Sequence, residues 1–483
     1  MTYQEIPLVR DASVPGRTGV VLPRPDVPET SIPAALLRDE LRLPEMDELS
    51  VVRHFTLLSQ RNFSIDGQFY PLGSCTMKYN PKMNEVAASL GGFRRSHPLA
   101  PESLSQGSIG LLFELQEALK AISGFTAVSL QPAAGAQGEL VGVLMIRAYH
   151  HRKGDTERVR MLIPDSAHGT NPASCTMAGL VAETIPSNAS GGVDLKALRE
   201  ACSGESSRTV AGLMITNPST LGLFEKNIKE IVTIVHDAGG LVYGDGANMN
   251  ALVGVLKPAD LGFDVMHFNL HKTFSTPHGG GGPGSGAVGA AASLADYLPG
   301  PLAIKSSEAY SFSQPSLSIG RLKAFHGNFG VLVRAYAYIR MLGKDGLRRV
   351  AEHAVLNANY LRVLVEDQYP AAYGTGRHSM HEFVASPDLG NGIRTLDIAK
   401  RLIDYGFHPP TIYFPLIVKE ALMVEPTETE SKETMDAFAA ALRAIAEEAQ
   451  TKPDLLHNAP HNCPIGRLDE TAAARKPILC YHC

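Results

Sequence analysis

Four apolar runs in this chain end in polar residues of the kinds that do chemistry. Ile163-Pro-Asp-Ser-Ala-His168 supplies an imidazole, Met214-Ile-Thr-Asn217 an amide, Leu241-Val-Tyr-Gly-Asp245 a carboxylate, and Asp264-Val-Met-His-Phe-Asn-Leu-His271-Lys272 an amine. Ligands of an open α/β sheet sit at the carboxyl ends of its strands, so four such tips in succession predict one shared site.

That set matches the needs of pyridoxal 5'-phosphate (PLP). The cofactor requires a lysine for covalent attachment, an acid that keeps its pyridine nitrogen protonated, a phosphate cradle and a flat group against its ring. Lys272 and Asp245 supply the first two. A protonated ring is the sink for the electrons freed when a bond to a substrate α-carbon breaks, so loss of Asp245 should cost rate far more than stability. His168 can lie on one ring face while the small Ala247 admits the other, Asn217 can donate to the phenolic oxygen, and His271 joins the cofactor contacts beside the lysine. For the phosphate, Gln131-Pro-Ala-Ala-Gly135-Ala136-Gln137-Gly138 lies between a short strand and a helix, which aims free amides and the positive helix end at an anion.

Taken singly, each residue has a plainer reading. Lys272 can be a solvated strand end, Asp245 a cap, His168 a satisfied core histidine and Asn217-Pro a turn. Their common placement and order favour the site. Gly279-Gly-Gly-Gly282-Pro-Gly284-Ser-Gly286-Ala-Val-Gly289 contains a literal G-x-G-x-x-G from Gly284, but no hydrophobic strand precedes it. A flexible loop beside the cofactor is the expectation there, not a dinucleotide fingerprint. There is no G-x-x-x-x-G-K-[ST]. Cys463, Cys480 and Cys483 with His461 and His482 offer soft ligands in the tail, against which stands the reading as free thiols, and no metal site is assigned.

The elements that must position these tips follow from periodicity. Helical patterns cover 108–122, 137–150, 194–201 and 225–238, and strand-like runs cover 125–130, 159–164, 210–215, 241–244 and 264–269. Apolar strands alternating with amphipathic helices predict an α/β domain around a mainly parallel sheet. Long helical patterns at 321–342 and 347–366 then lead into a smaller α+β domain with segments at 382–385, 395–405 and 431–450. The expected layout is an arm and linker at 1–60, a large PLP-binding domain at 61–330, a small C-terminal domain at 331–450 and an extended tail at 451–483.

Composition narrows the partners. With 483 residues and a formal net charge of -5, the chain has no electrostatic reason to bind nucleic acid or an anionic membrane. No stretch reaches the roughly 18 apolar residues of a spanning helix, and Met1 to Pro25 lacks a signal-type apolar run. A cytoplasmic protein is expected. Six cysteines in so long a chain are too few for a disulfide scaffold, and the Asn62 and Asn188 glycosylation patterns are read as chance.

Longer strings carry a resemblance. Asn62-Phe-Ser-Ile-Asp, Phe69-Tyr-Pro-Leu-Gly-Ser-Cys-Thr-Met-Lys-Tyr-Asn-Pro81, Gln131 to Glu139, Asp165-Ser-Ala-His-Gly-Thr-Asn-Pro-Ala173, Asn269-Leu-His-Lys-Thr-Phe274, Pro410 to Pro415 and Glu425-Pro-Thr-Glu-Thr-Glu430 span nearly the full length. The chain resembles the second (β) subunit of two-chain glycine dehydrogenase (decarboxylating), the P-protein of the glycine cleavage system. The resemblance implies the aspartate-aminotransferase-like (type I) PLP fold, with Lys272 as the cofactor lysine, Asp245 as the pyridine partner and His168 as the stacking group. It also implies decarboxylation of glycine with transfer of the aminomethyl group to the lipoyl disulfide of H-protein, an α subunit partner and an α2β2 assembly. Another PLP decarboxylase or lyase of the same fold is the rival enzyme, and a silent scaffold subunit the rival of another class. The Cys480-Tyr-His-Cys483 ending departs from the family pattern. Arg377 and His381 are weak candidates for holding the substrate carboxylate.

Overall fold

The computed structural model describes residues 6–479 except 40, 42, 279–283 and 375. Met1–Gly67 and Gln68–Cys483 form two compact units. In the first, the helix Glu48–Ser59 starts where the Asp47 side chain accepts the Ser50 amide at 2.9 Å, a cap that ends the proline-interrupted arm.

In the second unit a seven-stranded sheet is built from β1 (Ala127–Ser129), β2 (Arg160–Pro164), β3 (Val181–Ile185), β4 (Val210–Thr216), β5 (Leu241–Asp245), β6 (Val265–Asn269) and β7 (Gly286–Ala290). Its order is β1-β7-β6-β5-β4-β2-β3, and β7 alone runs antiparallel to its neighbours. Alternate residues feed opposite faces. Leu162, Leu213 and Val242 pack with Leu119, Ile231 and Phe263 on one side, while Met161, Met214 and Tyr243 pack with Val141 and Ile146 on the other. Every residue of β4 and β5 is buried. A strand covered on both faces reads as a continuous apolar run, which is why these two were plain in the sequence.

The helix Gln106–Ser123 stops at Gly124, whose φ of 81° turns its amide onto the Lys120 carbonyl. The helical stretch Phe329–Val365 breaks at Gly343, with φ of 62°, matching the two expected segments, but its first turn begins at Phe329 and not near 321. The cause is local: Phe325 and Gly327 adopt positive φ, and a Cβ on Gly327 would lie 2.3 Å from the Leu130 carbonyl oxygen. Beyond it, β10 (Phe383–Ala385), β11 (Thr411–Ile412) and β12 (Leu422–Val424) form an antiparallel sheet ordered β10-β12-β11. Phe383, Leu422 and Val424 bury against Leu402, Phe438, Leu442 and Ile445 of the helices Thr395–Asp404 and Lys432–Thr451.

Two further expectations need correction, and three strands were not foreseen. The glycine-rich run is not simply a flexible loop: 279–283 lie outside the described residues, but Gly286–Ala290 is the fully buried strand β7, clamped between β1 and β6. Its glycines and alanines hid the strand because they carry little apolar signal, and they serve close packing instead. The tail is not wholly extended, since Pro453–His457 and Glu470–Arg475 are short helices, the first with proline in its opening turn, where it is tolerated. Finally, β3 and the hairpin of β8 (Leu302–Lys305) and β9 (Tyr310–Ser313) were not anticipated, because partly exposed strands lack a continuous apolar run. Cys480 and Cys483 lie outside the described residues. Among those described, Cys75, Cys175, Cys202 and Cys463 are free, and no helix is long and apolar enough to cross a membrane.

Candidate active site

Because β2, β4, β5 and β6 are mutually parallel, their carboxyl ends share one edge of the sheet. There His168, Asp245, Ala247, His271 and Lys272 line a cavity of about 200 Å³, closed on one side by Gly135 and Ala136. Two expected residues stand slightly apart. Gln137 turns its side-chain oxygen back to accept the Ala133 amide at 2.7 Å, and Asn217 accepts the Glu225 amide at 3.0 Å behind Thr216.

Asp245 is 3% exposed and ends β5. Its oxygens accept the Ala247 amide at 2.9 Å and the Asn171 side-chain amide at 3.1 Å, and His267 Nε2 lies 3.5 Å away. Burial opposes its charge, but His267, these amides and Lys272 outweigh burial and hold the carboxyl below its ordinary range. Glu139 goes the other way. Burial and the charge on Asp245 push it up, while Thr170, Asn171 and Ser174 donate to its oxygens. The site thus keeps one charged acid beside a second that is biased toward protonation.

Lys272 Nζ donates to the Ser74 carbonyl at 2.8 Å. His271 Nδ1 accepts the Ser285 amide at 3.2 Å, and burial, with His278 and Lys272 nearby, drives its pKa down to about 3, so the ring is neutral. His168 sits exposed at the mouth, its Nδ1 2.8 Å from Thr170 Oγ1 and its ring edge-on to Phe414 at 5.6 Å between centroids. At the other wall the helix Gly135–Arg152 begins without a side-chain cap. A Cβ on Gly135 would lie 2.7 Å from Asn269 Nδ2, so only glycine brings the chain this close.

Sequence reasoning missed Glu139, Asn171, His267, Ser74 and Thr216. A charged residue inside the otherwise apolar first turns of a helix was the available signal for Glu139, and His267 stood inside a quoted apolar run. Ser74 comes from a distant segment that no local pattern ties to the sheet. The two weak carboxylate candidates do not line the cavity: Arg377 donates to the Phe224 carbonyl at 2.9 Å beside a neighbouring cleft, and His381 is fully buried.

The cavity suits a phosphorylated pyridine. Thr216 Oγ1 and Asn269 Oδ1 on the cavity wall are buried without hydrogen-bond partners, so a group bound there can supply them. The uncapped helix end offers its first amides to an anion, and the stabilised Asp245 carboxylate can face a ring nitrogen.

Solved structures share this architecture. A glycine decarboxylase (P-protein) of the glycine cleavage system in inhibitor-bound form superposes with a TM-score of 0.72 at 22% identity, covering 86% of this chain and 93% of that one. The cysteine desulfurase of Thermococcus onnurineus NA1 gives 0.60 at 17% identity, covering 79% and 95%. The fold is therefore that of the type I PLP-dependent enzymes. Sequence relatives narrow this further. The probable glycine dehydrogenase (decarboxylating) subunit 2 of Desulforamulus reducens is 56% identical over 482 residues, and that of Caldanaerobacter subterraneus subsp. tengcongensis 54% identical over 481, each covering 98% of both chains. Residues 350–462 match the family model described as glycine dehydrogenase, C-terminal domain. The chain belongs to the glycine dehydrogenase (decarboxylating) subunit 2 family.

Proposed function

We propose that this chain is the lysine-bearing catalytic subunit of a glycine-cleaving enzyme. It releases CO2 from glycine and passes the aminomethyl group to the lipoyl disulfide of H-protein, working with an α subunit as α2β2 in the cytoplasm. The observation that carries this reading is the pairing in one cavity of Asp245, at the end of β5, with Lys272, in the short helix Leu270–Thr273 that follows the adjacent parallel strand β6.

When bound, PLP supplies a protonated ring that takes up the electron pair left as CO2 departs. Asp245, held charged by His267 and two amides, keeps the proton on the ring nitrogen. The backbone amides of Gly135, Ala136 and Gln137 hold the phosphate, with Gln137 also bracing the loop through Ala133. His168 and Ala247 flank the ring. The neutral His271 lines the wall beside Lys272 without adding charge. Lys272 provides the attaching amine and afterwards a group that carries a proton.

Exchange of labelled bicarbonate into the carboxyl of glycine, with the α subunit and lipoylated H-protein present, tests the proposal. Exchange confined to glycine is expected. Exchange into a larger amino acid instead, or none, would overturn it.

A further inference from the structure

Glu382 immediately precedes β10 and Glu425 immediately follows β12, and the register Phe383 to Val424 makes them cross-strand neighbours. Both side chains are 0% exposed, as is His381, whose Nε2 lies 3.9 Å from an oxygen of each. Neither ring nitrogen of His381 has a hydrogen-bond partner, and burial drives its pKa to about 3, so it brings no positive charge to the pair. Burying two carboxylates side by side costs several kcal/mol per ion unless they are hydrogen-bonded or protonated.

Apart from a long 3.5 Å bond from the Asn248 side-chain amide to Glu382 Oε1, the hydrogen bonds to the pair come from one short segment at the other end of the chain. Glu382 Oε2 accepts the Ser74 amide at 2.7 Å, Glu425 Oε2 accepts the Thr76 amide at 2.8 Å, and Glu425 Oε1 accepts the Thr76 hydroxyl at 2.5 Å. Ser74 and Thr76 adopt φ of 65° and 48°, a left-handed conformation that residues with a Cβ hold only when their surroundings fix it. The carbonyl of the same Ser74 accepts Lys272 Nζ. Burial raises both glutamates, Glu425 to about 7, which lets the pair keep a proton between them.

We propose that Glu382 and Glu425 are positioning residues: they lock the Ser74–Thr76 segment so that the Ser74 carbonyl holds the Lys272 amine in place whenever that amine is not joined to the cofactor. They act through the segment and do not line the cavity. The inference rests on the proposed role of Lys272.

The test is the rate at which full-length cofactor-free protein attaches PLP, read from the absorbance of lysine-bound cofactor. Borohydride mapping of the wild type checks which amine reacts. Glu382→Met should slow attachment by about ten- to a hundredfold, since a 1 Å misplacement of a reacting group costs up to that order of rate. Glu382→Gln keeps an oxygen for the Ser74 amide and should restore the rate to within about twofold. Thr76→Val, isosteric and so a safeguard should Glu382→Met fail to fold, should also slow attachment, with Thr76→Ser restoring it. Wild-type rates in Glu382→Met or Thr76→Val, or a Glu382→Gln as slow as Glu382→Met, would overturn the positioning role while leaving Lys272 labelled. A wild type not labelled at Lys272 would instead defeat the functional reading on which it rests.

Discussion

Glu139 and Asp245 share one donor: the side-chain amide of Asn171 gives a 3.1 Å hydrogen bond to each carboxylate. The two acids are pushed apart in protonation, Asp245 toward the charged form and Glu139 toward the neutral one. Divergent environments of this kind assign different tasks to like residues. Asp245→Asn should therefore lower kcat by about 10²–10³, the usual loss when a pre-organised charge is removed from a reacting centre. Glu139→Gln keeps an acceptor for Thr170 and should cost less than about tenfold. Equal losses in the two variants would contradict the division of labour.

Strand β7 presses on the phosphate wall. A Cβ on Gly286 would lie 1.9 Å from the Ala134 carbonyl oxygen, and one on Gly138 would lie 2.6 Å from the Gly286 oxygen. Gly286→Ala should destabilise the protein by about 1–3 kcal/mol, as overpacking does, and weaken PLP binding by moving the Gly135 amide. Gly107→Ala, in an exposed helical turn with open space around it, should instead stabilise by about 0.5–1 kcal/mol. Denaturant unfolding and a PLP titration read both.

Lys78 reaches the helix that carries Lys272. Its Nζ, fully buried, donates to Glu428 at 2.8 Å and to the Thr273 carbonyl at 2.8 Å, and Glu428 outweighs burial in keeping it protonated. Lys78→Met strands Glu428 and should cost about 3–5 kcal/mol, while the double change Lys78→Met with Glu428→Leu should recover much of it. Full additivity of the two losses would contradict a direct pair.

Two buried histidines should contribute an acid-driven loss of stability, partly offset by Glu425, whose carboxyl, raised to about 7 by burial, takes up a proton in the fold ahead of the unfolded chain. Burial, with Lys272 and in one case a second histidine nearby, lowers His271 to about 3 and His278 to about 4, so both stay neutral in the fold while the unfolded chain takes up protons from about 6.5 downward. The share of stability owed to these two is then lost as pH falls from about 6.5 to about 4, by about 1.4 kcal/mol per pH unit for each histidine. His278→Asn should flatten this slope by about one proton in a Tm series, and an unchanged slope would contradict the assignment.

The sequence disclosed those parts of the site that local pattern can carry. Lys272, Asp245 and His168 were visible because each follows an apolar run, and the shared edge of parallel strands then brings them together. Asn217 and Gln137 sit at the right places on the chain but turn aside, since a neighbouring amide competes for each side chain. Glu139 and His267 were hidden inside regular elements, where a polar residue has no local mark of being buried. Ser74, Glu382 and Glu425 meet only through tertiary contacts across more than 300 residues, which no periodicity reports. Strand β7 escaped because its glycines were read for their freedom and not for the tight packing they permit.

Borohydride reduction of the PLP-loaded enzyme followed by peptide mapping tests the central claim most directly. A pyridoxyl group on the Asn269–Phe274 peptide, at Lys272, is the expected result. A label on Lys78 or any other lysine, with Lys272 unmodified, would contradict it.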